Sequence, residues 1–329
     1  MKLVYFSLFH NRKYIDLFRL LMLSIKLKVD CSDLEFLVLT SKEFEYEVLS
    51  IGTTVGLPLK THVLEVNDMY EATATKCRIF EADVEKYTHL LYLDVDIIAT
   101  GDFKPLFKIE KDILYGVTDG VLSHPATGSL FLNASICPDS SKEPSINSGA
   151  FVFSNTPKMK TVMTECYQFM TTWKKYKQVE QFYDQPFINF FFYTQGCLNT
   201  EYLTKYGHLH KGTDPTTEYV FSHFLSPVGD PVSKYKRMSE FFAKLVKSTN
   251  HNVMFNKSYH WQFGYIFFKE RLETTWGVGT YEKLGDRTVR ATFGGYNHYI
   301  TFDETLENFL SVRYEDGDVV SGSRIVLNY

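Results

Sequence analysis

Short apolar runs alternate with amphipathic stretches through the N-terminal part of the chain. KLVYFSLF (2–9), LEFLVLT (34–40), KTHVLEV (60–66) and HLLYLDVDI (89–97) predict strands. Between them YIDLFRLLMLSIKLK (14–28), KEFEYEVLSIG and ATKCRIFEADVEKY (74–87) carry helical periodicity. Strands alternating with helices imply right-handed crossovers and a mainly parallel sheet covered on both faces, with ligands at the carboxyl ends of its strands. Further on, DILYGVTDG and SINSGAFVFSN (145–155) predict strands, 158–177 and YDQPFINFFFYTQG (183–196) helices, and EYVFSHFLSP (218–227) a strand. KYKRMSEFFAKLVK (234–247) reads as a basic amphipathic helix whose charges form a solvated face. From Trp276 short β-like runs punctuated by Gly and Asp suggest a small antiparallel meander or a β-rich subdomain. The expected division is 1–264 and a β-rich 265–329.

One run breaks the apolar pattern. In LLYLDVDIIATGDF (90–103), Asp94 and Asp96 interrupt what otherwise reads as a buried strand. On a regular strand, residues two apart share a face. Two buried, unpartnered carboxylates would cost on the order of several kcal/mol. A hard divalent cation offsets that cost, because Mg²⁺ or Mn²⁺ takes oxygen ligands and leaves positions for a phosphate. Two aspartates alone do not separate this reading from a chance pairing.

Composition narrows the field. A chain of 329 residues with 28 Phe and 22 Tyr has ample core material. The net charge of -4 argues against a nucleic-acid binder working by general electrostatics. Five cysteines without a CxxC pair fit reduced thiols, and thus a cytoplasmic location. The apolar run 14–28 is too short to span a bilayer and is interrupted by Asp16, Arg19 and Lys26. The residues before it carry no basic n-region or small-residue cleavage site, so a secretory signal is not expected there.

Four segments in order carry a family resemblance, from residue 1 to about 230. They are TKCRIFEA…HLLYLDVDIIATGDFKPLF, INSGAFVFSN, YDQPFINFFF and SHFLSP. The chain resembles the glycogenin-like, retaining nucleotide-sugar glycosyltransferases of family eight, which have the GT-A architecture. That resemblance implies an α/β, Rossmann-like fold. It also implies Mn²⁺ (or Mg²⁺) held by Asp94, Asp96 and His223, within a donor site that includes Val95. Lys76 would contact the donor, while Arg78 would do so or form a surface salt bridge. Asn11 and Tyr14 match the loop where the family holds uracil, although Tyr14 is equally an ordinary aromatic at a helix start. Asp119, Asn147, Ser148 and Gly149 would surround the donor sugar. Asp184 and Gln185 would lie nearest the reacting carbon, and Asp184 also suits a helix N-terminus.

The chain departs from the family in one place. The family's late His motif continues to a Lys that touches the diphosphate; here Gly229 and Asp230 stand near that place, and either Lys234, Lys236 or Arg237 substitutes or the diphosphate is held differently. The implied reaction is transfer of a hexose from UDP-glucose or UDP-galactose to a hydroxyl of a glycan, protein or lipid-linked sugar, with retention. The alternative is a non-catalytic glycan-binding protein with a vestigial transferase domain. A nucleotidyltransferase is disfavoured by the lack of a Gly-rich phosphate loop near the first strand. The tail would shape the acceptor site, bind glycan or mediate a homodimer; its Trp276, Tyr296 and Tyr299 suit sugar stacking or, more commonly, core packing.

Overall fold

The computed structural model describes residues 1–124, 142–173, 183–210, 216–225, 231–248, 257–261, 264–268, 271–285 and 287–324. The chain divides into two compact units, Met1–Met238 and Ser239–Tyr329.

In the first unit, β1 (Lys2–Leu8), β2 (Leu34–Thr40), β3 (Leu59–Val63) and β4 (His89–Leu93) pair in parallel, as the alternating pattern predicts. The crossovers include α1 (Lys13–Lys28) and α2 (Lys42–Val55). The chain leaves this sheet after β4, forms β5 (Ile97–Ala99), and returns as β6 (Leu114–Val121), β7 (Pro144–Ser154) and β8 (Leu198–Asn199). The sheet has the order β3-β2-β1-β4-β7-β6-β8, and β7 runs antiparallel to both of its neighbours. A smaller sheet joins β5 to β9 (Gly207–His210) and β10 (Phe221–Phe224) in the order β5-β10-β9. Helix α1 anchors β5 through buried Ser24, whose hydroxyl donates to Leu21 O (2.7 Å) and accepts from the Ala99 amide (2.9 Å). The apolar run 14–28 is therefore a core helix, with Ile15, Leu17, Phe18, Leu21 and Met22 buried. No helix among the described residues is long and apolar enough to cross a membrane.

The helix expected over 74–87 is replaced by α3 (Met69–Ala74) followed by a 3₁₀ segment, Thr75–Glu81. Asp68 caps α3 by accepting from the Glu71 amide (2.9 Å). Thr75, β-branched, turns its hydroxyl back to Ala72 O (2.6 Å), and the tighter coil that follows keeps Lys76 and Cys77 buried. Beyond lie α4 (Pro157–Trp173), α5 (Gln185–Thr194) and α6 (Pro231–Ser248). Asn189 of α5 stitches that helix to β7: its Oδ1 accepts from the Ile146 amide (2.8 Å) and its Nδ2 donates to Ile146 O (2.9 Å) and Gln185 O (3.0 Å).

The tail is the expected β-rich subdomain, and it is closed rather than open. Eight antiparallel strands close into a barrel: β11 (Lys257–Trp261), β12 (Gly264–Phe268), β13 (Leu272–Thr274), β14 (Gly277–Gly285), β15 (Thr288–Phe293), β16 (Tyr296–Phe302), β17 (Asn308–Arg313) and β18 (Val319–Arg324). Pairing of β11 with β18 removes both free edges. The strands begin ahead of the expected 264/265 division. Tyr259, Trp261, Ile266, Phe268, Val289, Ile300, Phe302 and Phe309 fill the barrel core.

Replacing Asn189 by Leu leaves the buried amide and carbonyl of Ile146 without these partners. Chemical denaturation should show a loss of about 2–4 kcal/mol.

Candidate active site

The two sheets meet at Asp94-Val95-Asp96. A regular strand over 89–97 was the expectation; the chain instead turns after Leu93, because its pairing partner changes from β7 to β10. The Asp94 amide still donates to Gly149 O (2.7 Å), a rung of the large sheet. The Asp96 carbonyl already accepts from the Phe224 amide (2.9 Å), a rung of the small one. The carboxylates are thus aimed by two sheets rather than by strand alternation.

Antiparallel pairing sets His223 opposite Ile97. Its Nε2 lies 3.0 Å from Asp96 Oδ1 and 4.0 Å from Asp94 Oδ2. Ligand atoms of Asp94, Asp96 and His223 all fall within 4.8 Å of one another. Among the described residues His223 Nδ1 is buried without a hydrogen-bond partner, and Asp96 Oδ1 faces the imidazole alone. Gly149 lets both His223 and Asp94 pack directly on the backbone: a Cβ there would lie 2.2 Å from His223 Cε1 and 2.6 Å from Asp94 Oδ2. Two carboxylates and an imidazole converging in this way fit a divalent cation such as Mn²⁺ or Mg²⁺.

One buried and one partly buried lysine balance the acidic cluster. The ammonium of Lys76, on the 3₁₀ segment, lies 3.0 Å from Asp184 Oδ2 and 3.4 Å from Asp94 Oδ1, and donates to Ser148 O (3.1 Å). Tyr5 fixes its backbone by donating to Lys76 O (3.1 Å), and the Tyr92 ring lies 4.7 Å beneath the ammonium. Burial alone would lower the Lys76 pKa, but Asp184 and Asp94 hold it above its ordinary value. Lys234, at the start of α6, pairs with Asp96 Oδ2. Burial opposes ionisation of Asp96 as well; Lys234 and then His223 outweigh it and hold the carboxyl far below the usual range. Lys234 is therefore not part of a solvated face. It reaches the site expected to need a substitute cation, while Lys236 is exposed and Arg237 donates to Leu225 O (3.0 Å). Gly229 and Asp230 lie outside the described residues.

A cleft of about 250 Å³ opens onto this cluster. Of the expected residues it is lined by Tyr14, Lys76, Asp94, Val95, Asp96 and Asp184. Asp119, Asn147, Ser148, Gly149 and Gln185 form a connected bed beside it. Asn147 Nδ2 donates to Asp119 Oδ2 (3.1 Å), Asn147 Oδ1 accepts from the Gly149 amide (2.9 Å), and Gln185 Oε1 accepts from the Ser148 amide (3.2 Å). Two residues stand apart. The Asn11 side chain accepts from the Lys13 amide (3.0 Å) at the start of α1 and is not in the cleft lining, and Arg78 forms a salt bridge with Glu81 (2.7 Å). Sequence reasoning missed Thr73, Tyr92 and Tyr183 in the lining. Only Tyr92 had a legible signal: it lies two residues before Asp94, and its hydroxyl donates to that carboxylate.

A sheet whose first four strands are parallel, continued by antiparallel strands and bearing this acidic cluster at its carboxyl ends, is the GT-A-like architecture of glycosyltransferases. Residues 20–266 match the sequence model of Glycosyl transferase family 8, and the chain belongs to that family. Among solved structures, the fold is similar to that of galactosyltransferase LgtC in complex with donor and acceptor sugar analogs. The identity is 16%, the match covers 74% of this chain and 95% of that one, and the TM-score is 0.51. It is also similar to the bifunctional glycosyltransferase WbbM in its apo form, at 15% identity, 74% and 49% coverage and a TM-score of 0.52. No curated protein sequence matches the chain.

Gly149→Ala should drive its methyl group against His223 and Asp94 and push those side chains out of place. Calorimetric titration with Mn²⁺ should then show affinity reduced by about tenfold or more, with the circular dichroism spectrum unchanged. Wild-type affinity in this variant would remove Asp94 and His223 as the metal seat.

Proposed function

We propose that the protein is a metal-dependent, retaining hexosyltransferase that moves glucose or galactose from a UDP-sugar to an acceptor hydroxyl. The observation that carries this reading is the convergence of Asp94, Asp96 and His223 with the buried Lys76–Asp184 pair on one cleft. Asp94, Asp96 and His223 would hold Mn²⁺ or Mg²⁺, and the chemistry supplied by the bound ion is Lewis-acid neutralisation of the departing diphosphate.

The chain's own residues do the rest. Tyr14 presents an aromatic face to the cleft for the uracil base. Lys76, fixed on three oxygens, adds positive charge where the leaving group develops negative charge. Lys234 neutralises Asp96 in the absence of donor and, released from it, turns its ammonium to the diphosphate. It thereby replaces the lysine that the family carries later in the chain. Asp119, Asn147 and Gly149 shape the bed for the sugar, and the Ser148 amide orients the Gln185 carbonyl toward the reacting carbon. Asp184 is already compensated by a buried ammonium at 3.0 Å, which makes it a poorer nucleophile. That favours same-face attack, in which a phosphate oxygen takes the acceptor proton, over a covalent intermediate on Asp184.

The test is Mn²⁺-dependent release of UDP from a panel of UDP-sugars. One donor should be hydrolysed slowly, and Asp96→Asn should lower that rate by at least about a hundredfold. Lys234→Ala should weaken UDP binding by about tenfold while leaving Mn²⁺ affinity intact or higher. UDP binding without turnover of any donor, with or without saccharide acceptors, would favour the glycan-binding alternative.

A further inference from the structure

The barrel carries chemistry that the family match does not use, since that match ends at residue 266. Its interior is filled by side chains, so what it offers a ligand lies on its rim. In an antiparallel barrel alternate turns share one end, which places the turns after β13, β15 and β17 together. Trp276 sits in the first of these, 47% exposed. Its ring stacks on Phe293 (6.3 Å between centroids, 25°) and meets buried Trp261 edge to face (4.9 Å, 76°). Its amide donates to Thr274 Oγ1 (3.1 Å). The indole is thus fixed in advance, although core packing was its expected fate.

Among the described residues the neighbouring turns leave it partly open. Gly294 and Gly295, at φ 60° and 84°, make the tight turn beside Trp276, and a Cβ on Gly277 or Gly295 would meet nothing within 4 Å. The indole N–H of Trp261, beneath the stack, is buried with no acceptor among the described residues. Across the Gly-Gly turn, Tyr296 is 44% exposed and backed by the Arg313 guanidinium at 4.7 Å.

We infer that this rim binds a neutral saccharide, with the C–H face of a hexopyranose laid on Trp276. A flat apolar plate ringed by hydrogen-bonding groups suits a ring with one apolar face and equatorial hydroxyls. Charge selects the class. Glu315, Asp316 and Asp318 outnumber Arg313, which pairs with both aspartates, so the rim accepts from hydroxyls and repels uronate, sialylated or phosphorylated chains. The exposed apolar group of Trp276, Val278 and Tyr296 is small for a protein partner, which needs roughly 800 Å² a side. The inference stands independently of the catalytic reading.

The test is calorimetric titration of the full chain with maltoheptaose, cellohexaose and galactotetraose. At least one should bind, and Trp276→Ala should weaken it about tenfold or more. Trp276→Phe should retain binding, as should Asp96→Asn, whose catalytic site is disabled; donor hydrolysis by Trp276→Ala should match wild type. Tyr296→Ala gives an independent reading if Trp276→Ala does not fold, and should also weaken binding. Absence of binding by the wild-type chain, undiminished binding by both rim variants, or loss of binding in Asp96→Asn would overturn the inference. So would conversion of a dimer to a monomer by Trp276→Ala in sedimentation, since the rim would then join two copies of the chain.

Discussion

Three carboxylates crowd the carboxyl end of the large sheet, and the rest of the first unit is arranged around keeping them there. Asp96 and Asp184 are buried, Asp94 is partly so, and an unpaired carboxylate in such a place costs several kcal/mol, on the order of a whole domain's margin of stability. Lys76 bridges Asp94 and Asp184, and Lys234 with His223 faces Asp96. Three carboxylates are thus met by two ammonium groups and one imidazole. The convergence of two of those carboxylates and the imidazole within 4.8 Å, against a backbone that Gly149 leaves without a side chain, is the physical basis for reading the site as a cation seat.

The supports of this cluster are spread across the fold. Asp94 is tied by its amide to β7, Asp96 by its carbonyl to β10, Lys76 by its carbonyl to Tyr5 on β1, and Gln185 by its side chain to Ser148. Each is held by an element other than its own, so the charges keep their places while the cleft above them stays open. Such an arrangement is preorganised: little reorganisation is needed when charge develops in the cleft. The barrel solves a different problem. Every strand but the closing pair joins its sequence neighbour, so its order is local, and closure protects its edges without requiring the sheet that bears the acidic cluster.

Periodicity read the parallel half of the sheet and most helices correctly, because fully buried strands and amphipathic helices write their burial into adjacent residues. It misplaced what depends on distant partners. The 3₁₀ segment at Thr75–Glu81 follows from Thr75 bonding back to Ala72 and Lys76 being drawn inward. The turn at Asp94–Asp96 follows from a switch of pairing partner that no local window contains.

By itself the sequence determined the class of fold and the family, and it singled out acidic residues that the fold gathers at one cleft, because the charges interrupt apolar runs and recur in an ordered set of segments. Only the tertiary structure decided which cation meets which carboxylate. Lys234 lies far along the chain from Asp96, and its place on an otherwise basic helix face gave no sign that it points inward. It also decided that the tail closes on itself and leaves Trp276 outside, since closure is a pairing between the first and last strands of the barrel. Local pattern records what a residue is buried in; it does not record what it is buried against.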